Sequence, residues 1–163
     1  MKQLLYNLLL VATAFSFVFQ TESFAQEDNY SKNKEEEKTF LSTNKSVKGV
    51  KCSSSGLQYV IIDKGKGKKP HGVDEVYVKY KGYFADGSVF DSSLEKPAIL
   101  RMNAVITGMA EGLSMLGVGG KAILYVPSKL GYGEIGAAAI EPYKMLIFEI
   151  ELCDIYNEYD YLE

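Results

Sequence analysis

Four strand-like segments in the chain after Ser54 restrict its fold more than any other feature. They are rich in β-branched and aromatic residues and cover Gly56–Asp63, Asp74–Phe84, Lys121–Pro127 and Met145–Ile155. In the second segment, Val76, Val78 and Tyr80 repeat on one face, and Lys79 lies on the other. This half-polar alternation predicts an antiparallel sheet with one face in solvent, because the strands of a parallel sheet are buried on both faces.

Only one helix is predicted among these strands. In Ile106–Gly117, apolar residues that include Met109 and Leu113 fall near one helical face. Glycines within this segment keep the helix short, because glycine is unfavourable in a helix interior. Ala85–Ser88 is a strong turn signal between two strand-like stretches. The predicted fold class is therefore α+β, with an antiparallel sheet wrapped around one short α-helix.

A glycine-rich segment, Gly131–Pro142, reads GYGEIGAAAIEP and begins with the G-x-G-x-x-G pattern of dinucleotide-binding loops. That pattern needs its glycines to begin a long helix whose N-terminus faces the pyrophosphate. Only eight residues separate Gly136 from Met145, and Pro142 is among them, so no long helix fits. The net charge of −3 also gives no electrostatic reason to expect nucleic acid or an anionic membrane as partner. The segment is therefore predicted to be a loop without a nucleotide.

Residues 1–25 have the character of a secretory signal peptide. Lys2 is followed by the apolar run Leu4–Phe19, and small residues end the segment at Ala25. The run is short for a bilayer core of about 30 Å, so a cleaved signal peptide is favoured and a retained membrane anchor is the alternative. No membrane insertion is expected after cleavage. The mature chain is predicted to begin near Gln26 and to be exported, with the periplasm favoured over a eukaryotic secretory route.

Residues 26–51 are predicted to form a charged flexible linker or tail ahead of a folded domain over residues 52–163. The segment is poor in apolar residues and rich in Lys, Glu, Asn and Ser, so it buries too little surface to offset the entropy of ordering. One or two helical turns fit its sequence, and a short dimerising helix is the less favoured alternative.

The cysteines and the single histidine do not predict a metal or a cofactor. Cys52 and Cys153 are the only cysteines, and an exported protein can join such a pair. Their separation cannot be read from sequence, and two free thiols are favoured over a disulfide. His71 lies between a proline and a glycine and is interpreted as a loop residue.

Several segments carry a more specific pattern. They are VKYKGYFADGSVFDSS, VITGMAEGL, LGYG and IEPYKMLIFEIEL, in this order. In these segments the chain resembles the FK506-binding protein (FKBP) family of peptidyl-prolyl cis/trans isomerases, and especially exported bacterial members whose domain begins with S-G-L-Q-Y. The resemblance covers Ser54 to about Ile155 and implies a half-barrel antiparallel sheet around one short helix, with an apolar pocket between them.

The resemblance also implies a proline-binding pocket, for proline-containing polypeptides as substrates and with no cofactor. The residues expected to form its walls and floor are Tyr80, Phe90, Val105, Ile106, Met109 and Phe148. Asp91 and Tyr132 would supply polar groups, with Tyr132 and the backbone amide of Ile106 as donors to the substrate carbonyl, and Ile140 would close the rim. Taken singly, the two phenylalanines are better interpreted as core aromatics, and only the joint pattern favours a pocket. A turn or cap residue without a ligand role is the alternative for Asp91.

Departures from the family pattern predict a wider and more polar pocket. Met109 stands where the family usually has a tryptophan, and Ala98 stands where it often has a phenylalanine. Glu141 replaces a proline in the rim loop. We therefore expect reduced but nonzero isomerase activity and weakened binding of FK506 and rapamycin. A non-catalytic chaperone or peptide-binding module on the same fold is the alternative function.

Overall fold

A computed structural model describes residues 30–93 and 95–156 of the chain. The helices are α1 (residues 30–44) and α2 (Thr107–Ser114), with a 3₁₀ turn at Ser128–Leu130. The strands are β1 (Lys51–Cys52), β2 (Gln58–Asp63), β3 (Glu75–Tyr83), β4 (Val89–Ser92), β5 (Ala98–Arg101), β6 (Lys121–Val126) and β7 (Leu146–Tyr156). The signal peptide predicted for residues 1–25 lies outside the described residues.

All the strands pair antiparallel in one sheet, in the order β1-β2-β6-β7-β3, and β4 and β5 both pair with the free edge of β3. The predicted alternation holds in β3, where Val76 and Val78 are fully buried while Lys79 and Lys81 are exposed. The sheet covers α2 through this apolar face, and the predicted α+β class is confirmed.

Two glycines let α2 approach β6 closely. A Cβ atom added to Gly108 or Gly112 would clash with the side chains of Val126 or Leu124. Glycine lowers helix propensity by about 1 kcal/mol relative to alanine, but burial of the Met109 face against the sheet outweighs this cost. In the sequence these glycines indicated only that the helix is short; in the fold they also set its distance from the sheet.

The segment predicted as a flexible linker differs from that expectation, because residues 30–44 form α1 and pack against the sheet. The ring of Phe40 lies 5.9 Å from that of Tyr125, between centroids. The buried amide of Asn44 donates from Nδ2 to Gln58 Oε1 at 2.8 Å, and Gln58 Nε2 donates to the carbonyl of Leu41 at 2.8 Å. Polar partners on the sheet therefore fix a helix that the low apolar content of the segment did not predict.

Both cysteines are free thiols, with Cys52 exposed and Cys153 half-buried, in agreement with the favoured reading of the sequence. Within residues 30–93 and 95–156, no helix has the length and apolar character needed to cross a bilayer.

Candidate functional site

An aromatic cluster on the inner face of the sheet is the centre of the candidate site. Phe148 of β7 is 5% exposed, and its ring lies 5.5 Å from that of Phe90 of β4, edge to face. Tyr80 of β3 lies 6.5 Å from Phe148. Phe84, which follows β3, lies 4.9 Å from Phe90 and extends the cluster outward. Phe84 was not among the site residues expected from the sequence. Its position directly before the Ala85–Ser88 turn, which leads to the strand that carries Phe90, could have indicated that it lies near the site.

Gly82 makes room for these rings. It pairs with Asp91 in β4 and with Phe148 in β7, so it lies between the two aromatic strands. A Cβ atom at Gly82 would lie 2.6 Å from Cζ of Phe90 and 2.9 Å from Cε1 of Phe148, both well inside van der Waals contact. Gly82 lies within the motif VKYKGYFADGSVFDSS, but the sequence alone does not indicate a role for it at the site.

The helix side of the site comes from the residues around the start of α2. Val105 and Ile106 are half-buried, and Met109 is 4% exposed in the first turn. Ile140, from the loop over residues 131–142, is also half-buried and packs against the same buried cluster that contains Met109 and Phe148. The structure thus brings the expected apolar residues together from β3, β4, β7, α2 and one loop.

A hydrogen-bonded polar pair lies beside the rings. The hydroxyl of Tyr80 donates to Oδ2 of Asp91 at 2.8 Å. Burial, followed by the hydrogen bond and charge of Asp91 and by the nearby Tyr132, raises the pKa of Tyr80 to about 12. Asp91 lies within β4, so it is neither a turn residue nor a helix cap. Tyr132 is 39% exposed, so its side chain is accessible to a ligand.

We expect the Tyr80 phenol to titrate near pH 12 and Asp91→Asn to lower its pKa toward 10. The raised pKa favours the neutral phenol in the folded state, so the stability that it contributes is complete below about pH 10 and is lost as the pH rises through 12. Subtracting the near-UV absorbance titration of Tyr80→Phe from that of the wild type isolates the titration of Tyr80. Tyr83, whose pKa burial and Glu149 raise to about 12, is the matched control and should not respond to Asp91→Asn. An unchanged Tyr80 titration in that variant would contradict the assignment.

Residues 131–142 form a loop braced by its own backbone. The amide of Ile140 donates to the carbonyl of Ala137 at 2.7 Å, and the amide of Tyr143 donates to the carbonyl of Gly133 at 2.8 Å. Gly136 has a φ of +72° and lies so close to Ile140 and Pro142 that a side chain would meet their backbone atoms. The loop carries Tyr132 at one end and Ile140 at the other, and no long helix follows its glycines, as the sequence predicts.

Glu141 faces α1. Its Oε2 accepts a hydrogen bond from Asn33 Nδ2 at 3.0 Å and lies 4.0 Å from Nζ of Lys144. From the sequence alone, Glu141 is expected only to add a charge at the rim of the pocket. In the fold its carboxylate also connects the end of the rim loop to the N-terminal helix.

A groove of about 710 Å³ lies between α1 and the turn that follows β3. Its apolar lining includes Phe40, Phe84 and Ala85, and Phe84 also contacts the aromatic cluster. Lys32, Glu35, Glu36, Asp86 and Lys144 supply charges of both signs around it. The volume lies within the range of about 300–1,000 Å³ that is common for ligand sites.

The fold and the site together define a class of protein: an α+β domain whose antiparallel sheet wraps around one short helix, with a cluster of aromatic and aliphatic side chains between them. Two family models match the chain, one described as FKBP-type peptidyl-prolyl cis-trans isomerase over residues 66–153 and the other as the domain amino terminal to it over residues 7–61. The chain therefore belongs to the FKBP-type peptidyl-prolyl cis-trans isomerase family, which confirms the resemblance seen in the sequence.

Individual relatives agree with this membership. The FKBP-type peptidyl-prolyl cis-trans isomerase FkpA of Aeromonas hydrophila is 41% identical over 137 residues, which are 83% of this chain and 51% of that protein. The outer membrane protein MIP of Legionella longbeachae is 40% identical over 145 residues, covering 84% and 62% of the two chains. The crystal structure of FkpA from Escherichia coli matches with a TM-score of 0.83 at 36% identity, over 90% of this chain and 71% of that one. The chain thus spans about half the length of the FkpA relatives that it matches.

Proposed function

We propose that this protein catalyses cis/trans isomerisation of X–Pro bonds in polypeptides. The observation that carries the proposal is the pocket of Tyr80, Phe90 and Phe148 with the Tyr80–Asp91 hydrogen bond at its side. Rotation about an X–Pro bond crosses a barrier of about 18–20 kcal/mol through a twisted amide that has lost its resonance. An apolar pocket that takes the proline ring out of water and stabilises the twisted amide lowers this barrier without covalent chemistry.

The proposed donors lie on the helix side and the loop side of the pocket. Ile106 is the N-cap residue of α2, and the first N–H groups of a helix have no acceptor within the helix, which supports its amide as one donor. The exposed hydroxyl of Tyr132 is the second. Asp91, held by Tyr80, orients that ring as a wall of the pocket. Val105, Met109 and Ile140 complete the apolar surroundings of the ring.

We also propose that turnover is slower, and FK506 and rapamycin binding weaker, than a tryptophan floor would give. Met109 is 4% exposed in the first turn of α2, so a flexible thioether occupies the place of a flat indole. Ala98, in β5, adds only a methyl group to the neighbouring wall.

Export to the periplasm, and assistance to the folding of exported proteins there, are proposed from the N-terminal sequence. The apolar run Leu4–Phe19 and the small residues before Gln26 support cleavage and release. The relative from Legionella longbeachae is named as an outer membrane protein, which supports a location outside the cytoplasm for this chain as well.

A proline-turnover assay on a short X–Pro peptide tests the activity. The wild type is expected to exceed the uncatalysed rate, and Tyr132→Phe is expected to lower kcat/KM by about 2- to 12-fold, the value of one neutral hydrogen bond of 0.5–1.5 kcal/mol. Asp91→Ala should lower it similarly, because Tyr80 then loses its partner. Lys79→Ala, on the outer face of β3, is the control and should leave the rate unchanged.

The same assay separates the alternative function. The groove beside Phe84 favours a peptide-binding or chaperone module, because its apolar lining continues from the pocket. A wild type that binds the peptide but does not exceed the uncatalysed rate would refute the isomerase proposal and support the module. Equal rates in the wild type, Tyr132→Phe and Asp91→Ala would refute the residue roles.

A further inference from the structure

Helix α1 contacts the loop over residues 131–142 at both of its ends. Before the loop, the backbone N–H of Ser128 donates to Oε2 of Glu37 at 2.6 Å. At the C-terminal end of the loop, Nδ2 of Asn33 donates both to Oε2 of Glu141 and to the carbonyl of Pro142, each at 3.0 Å. Glu37 and Asn33 are four positions apart and so lie on one helical face. One face of α1 therefore holds the two places where the loop joins the rest of the domain.

Asn33 is the central residue of this contact. It is 3% exposed, which is rare for an asparagine, and both ends of its amide are used. Its Oδ1 accepts a hydrogen bond from Nζ of Lys144 at 2.9 Å, while Nδ2 serves Glu141 and Pro142. Because buried polar groups are costly to leave unpaired, these bonds favour one position of α1 against the loop.

The opposing charges around Asn33 support the same position. Nζ of Lys144 lies 3.3 Å from Oε2 of Glu36 on α1 and 4.0 Å from Oε2 of Glu141. Lys34 of α1 also contacts Tyr143, the first residue after the loop. Its Nζ lies 3.9 Å from the centroid of the Tyr143 ring. The Lys144–Glu36 and Lys34–Tyr143 contacts join α1 to the segment immediately after the loop.

We propose that α1 positions the rim loop over the pocket, with Asn33 as a positioning residue for Tyr132 and Ile140. The loop has internal hydrogen bonds through Ala137 and Gly133, and we expect these bonds to open more often when the ends of the loop are released from α1. The hydrogen bonds of Asn33 go to Glu141, Pro142 and Lys144, so we expect it to act on the pocket through the loop. The consequence for turnover rests on the proposed isomerase function, whereas the placement of the loop does not.

The experiment compares Asn33→Ala with Asn44→Ala in the full chain. Asn44 is the matched control, because it is a buried asparagine on the same helix whose amide is bonded to Gln58 of β2, away from the loop. Amide hydrogen exchange at Ala137, Ile140 and Tyr143 measures how often the loop opens, and kcat/KM on a short X–Pro peptide measures activity at the proposed site. We expect Asn33→Ala to speed exchange at these amides and to lower kcat/KM by up to about 100-fold, the effect that a misplacement of about 1 Å can have. Asn44→Ala should change neither.

A second variant guards against loss of folding. Glu141 is exposed, so Glu141→Ala leaves the core intact and removes one partner of Asn33 from the loop side. It should change exchange and turnover in the same direction as Asn33→Ala, but less. Unchanged loop exchange in both variants would overturn the proposal, and so would equal effects of Asn33→Ala and Asn44→Ala, since α1 would then act only as a general support. If the wild type shows no turnover but loop exchange is still faster in Asn33→Ala, the positioning role is upheld and the isomerase function is refuted.

Discussion

Gly82→Ala is expected to destabilise the fold by about 1–3 kcal/mol, the usual cost of overpacking a core, and to weaken binding of an X–Pro peptide. The added Cβ would meet Phe90 at 2.6 Å and Phe148 at 2.9 Å. Both contacts are closer than real Cβ atoms allow, so the two rings must move apart. Because the same rings form the proposed proline pocket, one methyl group should affect stability and binding together. Urea unfolding and peptide titration by calorimetry measure the two effects.

The clash itself can be isolated by a double-mutant cycle. In a Phe90→Leu background the nearer ring is gone, so Gly82→Ala should cost less there than in the wild type. Lys81→Ala, on the exposed face of the same strand, is the control and should stay within about 0.5 kcal/mol of the wild type. If Gly82→Ala lowers the free energy of unfolding equally in both backgrounds, the loss comes from backbone effects and not from a clash with the Phe90 ring.

The sheet and α2 were predictable because their signal is local. Val76 and Val78 recur at the period of a strand, and Met109 and Leu113 recur at the period of a helix. Each pattern shows that one face of the segment is buried, and it is visible without knowing which elements pack against that face. The family motifs then brought together residues from five elements that no periodicity connects.

Features that depend on contacts between distant segments were not predictable in this way. Residues 30–44 include few apolar side chains, and the helix is also held by polar partners such as Glu141 and Gln58, which follow it by many residues. The Tyr80–Asp91 hydrogen bond and the space at Gly82 follow from the register of β3 against β4, which the sequence of either strand does not specify. Glu141 likewise reads as a rim charge until α1 is in place.

Phe148→Ala is expected to cost about 3–5 kcal/mol of stability and to abolish measurable turnover of an X–Pro peptide. Phe148 is 5% exposed and contacts the rings of both Tyr80 and Phe90, so its loss leaves a cavity at the centre of the pocket. Phe148→Leu keeps most of the volume, and should therefore fold more stably than the alanine variant while still lacking the flat edge that meets Phe90. Its turnover should remain well below that of the wild type. Chemical unfolding and the peptide assay, carried out on the folded fraction, give the two quantities.

Ile147→Ala separates the pocket from general stability. Ile147 is the neighbour of Phe148 in β7 and is 4% exposed, but successive residues of a strand point to opposite faces of the sheet. Its truncation should cost about 2–5 kcal/mol, a loss comparable with that of Phe148→Ala, yet leave turnover per folded molecule near the wild-type value. If Ile147→Ala lowered turnover as much as Phe148→Leu, the rate would follow the stability of the sheet, and Phe148 would have no separate part in binding the proline ring.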